Sequence, residues 1–227
     1  MMLWIIRKYR IHIIHFNVYS DYYIPLAAIC HLIGKPIIFH VRGKVRPSRH
    51  ISSYLKYVDA FIHVSKFVQE NFSLNDQDTS AHYCVYNGRS PDDYMLDDSC
   101  IKQDLKKSLR IPSDHKIVVC IGTLTRGKGQ ATFIDAANIV CEMMDDVLFL
   151  IVGDNVLYED DVKAELLHQI DKYGLSDRIL LLGQRNDVPL ILSQADVSVS
   201  SSELPEALCC VNIEAMAAHT PVVSTDV

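Results

Sequence analysis

The sequence predicts an α/β protein that contains two Rossmann-like halves, each built on a parallel sheet. Three observations support this: short strand candidates are apolar throughout, helical stretches alternate with them, and a polar, turn-rich stretch at 89–115 interrupts the series. Strands that are apolar on both faces are typical of parallel sheets covered by helices on both sides. The 227 residues, 49% apolar and 22% charged, suffice for two small domains, which we assign to 1–105 and 106–227.

The first half contains four strand candidates, at 11–16, 36–41, 59–65 and 82–87. The stretch 24–34 reads as a helix, and Gly34 suits the residue that follows its last turn. The opening residues 1–10 imitate a signal peptide, but their charges follow the apolar run, so we interpret them as the end of a helix. A histidine within a strand, such as His63, is more often a core or surface residue than a catalyst.

The second half restarts the alternation after the polar stretch. Its strand candidates lie at 116–122, 148–154, 179–183, 197–202 and 221–227. Helical stretches separate them, the clearest being QATFIDAANIVCEMM and DVKAELLHQIDKYG. Sheets of this kind bind ligands beyond the carboxyl ends of their strands. We therefore expect the functional residues in the loops that follow the strands.

Composition argues against several classes of protein. The net charge of −6 provides no basic field for nucleic acid. The 7 cysteines are odd in number and include no C-x-x-C pair, which argues against a disulfide framework or a zinc site and favours a reducing cytosol. No segment approaches the roughly 20 unbroken apolar residues of a membrane span. The expectation is a cytoplasmic protein without a metal site.

The loop GTLTRGKGQ, at 122–130, has the composition of a phosphate site. Its glycines leave backbone N–H groups open, the following helix adds partial positive charge, and Arg126 and Lys128 add full charges. The string also approaches a P-loop, which would indicate an NTPase, but Gly129 stands where the magnesium-binding Ser or Thr belongs. An ordinary strand-to-helix turn with solvated charges is the remaining alternative.

Two glutamates stand eight positions apart in the segment 201–227. Glu206 falls in a loop after a strand, and Glu214 falls in a helix whose neighbours are apolar. A carboxylate on such a helix is costly to bury without a partner, and a pair of sugar or ribose hydroxyls would supply one. Alternatively, Glu214 faces solvent near the helix start. In the preceding loop, Asp187 either caps the next helix or belongs to a backbone clamp, near Val188, for a flat base.

These segments together resemble retaining glycosyltransferases of the GT-B fold, in the large family called group 1 or GT4. The resemblance is strongest over 116–227, where IGTLTRGKGQ, LIVGD, LGQRNDV, ADVSVSSSE and EALCCVNIEAMAAHTPVVSTD occur in order. EALCCVNIE fits the family's E-x7-E motif, with Glu206 first and Glu214 second. In the first half, IIFHVRGK and VYNGRSPDDY resemble the acceptor-side strand and the end of the first domain.

The resemblance implies a donor sugar linked to UDP or GDP, held mainly by the second domain, and no further cofactor. It assigns Lys128 and Arg126 to the diphosphate, Glu206 to hydroxyls of the transferred sugar, and Glu214 to the ribose. Asp187 and Val188 would meet the base. The remaining donor-site residues implied are Gly122, Thr123, Gly153, Leu208, Cys209, Cys210 and Val211.

The implied reaction is metal-independent transfer of a hexosyl group to a glycan or lipid-linked acceptor in envelope polysaccharide assembly. Contact with the inner face of the cell membrane is implied by the resemblance alone. The chain departs from the family pattern at Thr123, at Cys209 in place of a glycine, and at His219 before Thr220-Pro221, where a positive φ is expected. Its first domain lacks the family's opening strand and its second lacks the closing helices, so we expect a chain truncated at both ends.

Two alternatives remain, and the departures motivate the first of them. One is a non-catalytic nucleotide-sugar-binding remnant or partner subunit. The other keeps the fold and changes the reaction to sugar-nucleotide epimerisation, against which the E-x7-E motif argues.

Overall fold

The computed structural model describes residues 2–17, 23–43, 56–72, 80–94, 105–155 and 161–227. The chain divides into two compact units, Met1–Asn87 and Gly88–Val227. The second unit thus includes residues 88–105, which the sequence analysis assigned to the first domain. Each unit is built on its own parallel sheet, as predicted.

The described part of the first unit contains a four-stranded parallel sheet in the order β1-β2-β3-β4. The strands are β1 (Ile14–Phe16), β2 (Ile37–Val41), β3 (Ala60–His63) and β4 (Ala81–Cys84). The helices are α1 (Met2–Lys8), α2 (Ile24–Leu32) and α3 (Lys66–Glu70). Gly34 follows α2 with φ of +67° and donates its N–H to the carbonyl of His31, so the predicted glycine end of this helix is confirmed.

The core of the first unit is aromatic. Phe39 of β2 lies beside Phe61 of β3 in register, and Phe16 and Phe72 extend the cluster on either side. His63 belongs to the same face and is fully buried. Its Nε2 lies 2.9 Å from Nδ1 of His82 on the neighbouring strand. His63 is therefore a core residue, as its place in a strand indicated.

The second unit contains a five-stranded parallel sheet in the order β7-β6-β5-β8-β9. The strands are β5 (Lys116–Ile121), β6 (Val147–Val152), β7 (Ile179–Gly183), β8 (Val197–Ser200) and β9 (Val222–Ser224). The helices are α4 (Leu105–Leu109), α5 (Gln130–Cys141), α6 (Val162–Lys172), α7 (Val188–Gln194) and α8 (Cys210–Ala217). Short 3-10 turns occupy Pro91–Asp93 and Arg126–Lys128.

Helices on both faces of this sheet explain why β6 is buried at every position. Phe149 and Ile151 of β6 pack with α5 and α6, whereas Leu148 and Leu150 pack with α7 and α8. The sheet order reverses between β5 and β8, because β6 and β7 follow on one side and β9 on the other. Loops that leave such a switch point in opposite directions open a crevice at the carboxyl edge.

Within the described ranges, none of the helices has the length and apolar character needed to cross a membrane.

Candidate functional site

The crevice at the switch point is a pocket of about 280 Å³ between the loops that follow β5 and β8. It collects residues from β5, the Arg126–Lys128 turn, the end of β8 and the first turn of α8. The predicted site residues that line it are Gly122, Thr123, Lys128, Glu206, Leu208, Cys209, Cys210 and Val211. The wall also contains Gln130 and three serines that follow β8, Ser200, Ser201 and Ser202, to which the sequence suggested no individual role.

Glycine conformation brings the two loops together. Gly129 has φ of +64°, and a Cβ at this position would lie 1.9 Å from the carbonyl oxygen of Ser201. The Ser201 hydroxyl donates to the carbonyl of Lys128 at 3.2 Å, and Glu203 N–H donates to the carbonyl of Gly127 at 3.0 Å. Only glycine permits this approach, so Gly129 fixes the distance between the Lys128 loop and the loop after β8.

Gly153 supports the pocket from behind. Its φ is +148°, and a Cβ there would lie 1.8 Å from the carbonyl oxygen of Gly122. Gly153 packs against the loop backbone and does not belong to the pocket wall. Gly153, which was predicted as a donor-site residue, therefore contacts the backbone of the pocket residue Gly122 from outside the pocket.

Two opposite charges form an ion pair in the pocket wall. Lys128 Nζ lies 2.8 Å from Glu206 Oε2, and Ser202 Oγ donates to the other carboxylate oxygen of Glu206. The side chains of Lys128 and Glu206 are 36% and 22% exposed. An ion pair that is partly open to water can exchange partners with a charged or hydroxyl-rich ligand.

Gln130 is a pocket residue that the sequence analysis did not single out. It opens α5, is 2% exposed, and its Nε2 donates to the carbonyl of Thr123 at 2.9 Å. This bond ties the start of the helix to the loop after β5. The sequence feature that could have identified Gln130 is its position directly after Gly129, at the start of a helix, from which its side chain reaches back to the loop.

The first turn of α8 forms another wall. The first N–H groups of a helix have no intrahelical partners and carry partial positive charge. Cys209 precedes the helix, and its Sγ lies 3.4 Å from Ser200 Oγ at the end of β8. Cys120 lies deeper, and burial raises the pKa of its thiol to about 11. This wall therefore presents the backbone donors of the helix start.

Besides Gly153, four predicted site residues lie outside the pocket wall: Arg126, Asp187, Val188 and Glu214. Arg126 is 64% exposed and binds Glu165 of α6, with Nη2 and Oε1 2.7 Å apart. Arg185 binds Asp187 through two hydrogen bonds of 2.8 and 2.6 Å, which lower the pKa of that carboxyl. Asp187 precedes α7, but no capping bond from its side chain occurs among the described residues, and Val188 is the first residue of the helix.

Glu214 lies within α8, one turn beyond Cys210. Its side chain is 15% exposed, and Oε1 accepts a hydrogen bond of 2.9 Å from Arg89 Nε. Glu214 does not face solvent, so that alternative is wrong. A buried carboxylate requires a partner, and here the partner is Arg89, near the start of the second unit. Arg89 lies in the segment VYNGRSPDDY, and the sequence alone suggested no role for it.

Among the residues described, none of the clusters of histidine, cysteine, aspartate or glutamate has three members that could hold a metal ion.

Comparison with known proteins identifies relatives of the second unit and of the fold. The family model for glycosyl transferases group 1 matches residues 101–227. The lipopolysaccharide core biosynthesis mannosyltransferase LpsB of Rhizobium meliloti is 30% identical over 126 residues, which are 56% of this chain and 36% of that protein. The Escherichia coli UDP-Gal:alpha-D-GlcNAc-diphosphoundecaprenol alpha-1,3-galactosyltransferase is 34% identical over 129 residues, 56% of this chain and 32% of that protein.

Among solved structures, Anabaena Alr3699/HepE in complex with UDP and glucose superimposes with a TM-score of 0.79 at 26% identity. The match covers 96% of this chain and 60% of that one. The chain spans about a third of the length of the two curated relatives named above. The predicted fold class, α/β of GT-B type with Rossmann-like sheets, is confirmed.

Proposed function

Since the chain belongs to the family of group 1 glycosyl transferases, we propose that it transfers a hexosyl group from a nucleotide-sugar to a glycan or lipid-linked acceptor. Two relatives support the donor class: the Escherichia coli enzyme is named for UDP-Gal, and HepE was solved with UDP and glucose. The names of the Escherichia coli and Rhizobium relatives, which mention diphosphoundecaprenol and lipopolysaccharide core, support an acceptor in envelope polysaccharide assembly.

The observation that carries the proposal is the Lys128–Glu206 pair beside the first turn of α8. A bound diphosphate takes Lys128 as a charge partner and accepts hydrogen bonds from the N–H groups at Leu208–Val211. Glu206 then exchanges its ammonium partner for hydroxyls of the sugar. These hydroxyls donate hydrogen bonds, and the ionised carboxylate accepts them. One pocket thus binds phosphate on one side and sugar on the other.

The same groups would stabilise the transition state. As the bond between the anomeric carbon and the phosphate oxygen breaks, negative charge grows on the diphosphate next to Lys128 and the α8 N-terminus. The acceptor hydroxyl forms its new bond on the face the diphosphate leaves and passes its proton to the departing phosphate oxygen. Configuration is thereby retained. Because fixed protein groups supply the positive charge, we propose a reaction that is independent of a metal ion.

The rest of the donor is assigned to the edges of the pocket. Glu214 would bind the ribose hydroxyls, one helical turn from Cys210. The backbone at Asp187 and Val188 would meet the base, and the two-bond Arg185–Asp187 pair would hold that loop in one conformation. Arg126 would reach the diphosphate only after leaving Glu165.

The test is calorimetric titration of the purified chain with UDP, GDP and ADP in EDTA. We expect one nucleotide to bind, and we expect Lys128→Met to weaken that binding by about 10-fold or more, the loss of one hydrogen bond to a charged group. Glu206→Gln is expected to leave nucleotide affinity within about 3-fold while abolishing sugar transfer, because its contacts are to the sugar.

The matched control is Lys116→Met. Lys116 also pairs with a carboxylate, Asp196, at 3.0 Å, but it starts β5 and so lies about 13 Å from Cys120, the nearest pocket residue of that strand. A folded chain that binds none of the three nucleotides contradicts the proposal. Binding without hydrolysis or transfer would favour the non-catalytic nucleotide-sugar-binding alternative, and binding only with magnesium would favour the NTPase.

A further inference from the structure

The Arg89–Glu214 pair joins residues far apart in sequence. Arg89 begins the second unit, next to Gly88, and Glu214 lies in α8, 125 positions later. Their side chains are 38% and 15% exposed, so the carboxylate is the more buried partner. The bond of 2.9 Å from Nε to Oε1 is the hydrogen bond that contributes most to raising the pKa of Arg89.

The surroundings of the pair place it at the rim of the pocket. Cys210 lines the pocket, stands one helical turn before Glu214, and is close enough to contribute to the raised pKa of Arg89. Tyr94 interacts with both members of the pair, and burial followed by the charge of Glu214 raises the pKa of its hydroxyl. A carboxylate between a tyrosine and a pocket-lining turn has few orientations.

We infer that Arg89 is a positioning residue for Glu214, holding its carboxylate so that a nucleotide ribose in the adjacent pocket can donate both hydroxyls to it. This inference rests on the proposed function. A carboxylate offers about four acceptor positions. Arg89 Nε uses one and the Tyr94 hydroxyl bonds to the same carboxylate, which leaves two positions for the two ribose hydroxyls. A charge-assisted bond to a planar guanidinium also restricts rotation of the glutamate.

The Glu214 side chain is 15% exposed beside Arg89 on a largely apolar helix. Without Arg89 the carboxylate would lose its ion-pair partner and keep only the hydrogen bond from Tyr94. Such a group lowers its free energy by rotating toward water. The ribose would then have to restore the rotamer at the expense of binding free energy. Arg89 therefore acts on the part of nucleotide affinity that comes from the ribose hydroxyls, and hardly on the part that comes from the phosphates.

The experiment compares two ligands on four proteins. The ligands are the tightest binder among UDP, GDP and ADP, and its 2′,3′-dideoxy analogue; the proteins are the parent chain, Arg89→Met, Arg89→Lys and the control Lys116→Met. We expect Arg89→Met to weaken the ribonucleotide by about 10-fold and the dideoxy analogue by less than about 2-fold. Arg89→Lys, which keeps the charge but not the planar fork, should fall between Arg89→Met and the parent.

Each outcome decides a separate question. Equal weakening of both ligands would overturn the inference, because Arg89 would then act as a general attraction for phosphate. Unchanged affinity of a folded Arg89→Met, with thermal unfolding as the check on folding, would overturn it as well. Failure of the parent chain to bind any of the three nucleotides would overturn the proposed function, and the inference with it.

Discussion

Acidification should destabilise the first unit through His63. This side chain is fully buried, and burial, followed by the charges of His82 and His40, lowers its pKa from 6.5 to about 4. Its Nε2 faces His82, and its Nδ1 has no hydrogen-bond partner among the described residues. A proton on the ring would therefore put an unpaired N–H in the aromatic core.

The magnitude follows from the two pKa values. The folded pKa lies below the unfolded one, so the contribution of His63 is fully present above pH 6.5 and is lost as pH falls toward 4. A difference of about 2.5 units corresponds to about 3 kcal/mol once both states are protonated. At pH 5 the unfolded ring is protonated and the folded one is mostly neutral, so about 2 kcal/mol is already lost.

Urea unfolding followed by fluorescence can measure this, because Trp4 is the single tryptophan and lies in α1 of the first unit. His63→Phe keeps an aromatic ring without the titration. Between pH 7.5 and pH 5 the parent should lose about 2 kcal/mol more stability than this variant. The exposed His168→Gln on α6 should follow the parent. Parallel profiles for the parent and His63→Phe would refute the reasoning.

Two further predictions concern backbone conformation. Gly129→Ala should destabilise the second unit by about 2 to 4 kcal/mol in urea unfolding and weaken nucleotide binding, because its methyl group would overlap the carbonyl of Ser201; unchanged binding would contradict the role given to the loop contact. His219→Gly should stabilise the unit by about 1 kcal/mol, since His219 has φ of +59°. The neighbouring Ala218→Gly, at φ of −82°, should instead lose stability, and the same sign for both would contradict the argument.

The sequence predicted the features that depend on local pattern. The apolar run of β6 has a buried side chain at every position because helices cover both faces, and this is the pattern that a parallel sheet imposes. The positive φ of His219 was expected from the resemblance, because the family usually has a glycine before Thr220-Pro221. The pocket loops were found for a related reason: in parallel sheets the loops after the strands meet at one edge.

Features that depend on pairing between distant side chains were not predictable. The charge of Arg126 suited a phosphate, yet 39 positions later α6 presents Glu165 within 2.7 Å of it. Gly153 follows a strand like any loop glycine, and only the structure shows that it lies against the backbone of Gly122. Sequence periodicity specifies which face a residue occupies, but not which residue of another element it contacts.

Glu214 shows how far a physical argument from sequence reaches. The cost of burying a carboxylate required a partner, and that part of the argument holds, since the side chain is 15% exposed and paired. Sugar or ribose hydroxyls were the expected partner because a carboxylate can accept two hydrogen bonds from such a pair. Arg89, from the start of the unit, meets the requirement within the protein itself. The stability of a buried charge therefore does not establish a ligand, whereas a loss of affinity confined to a ligand with ribose hydroxyls would.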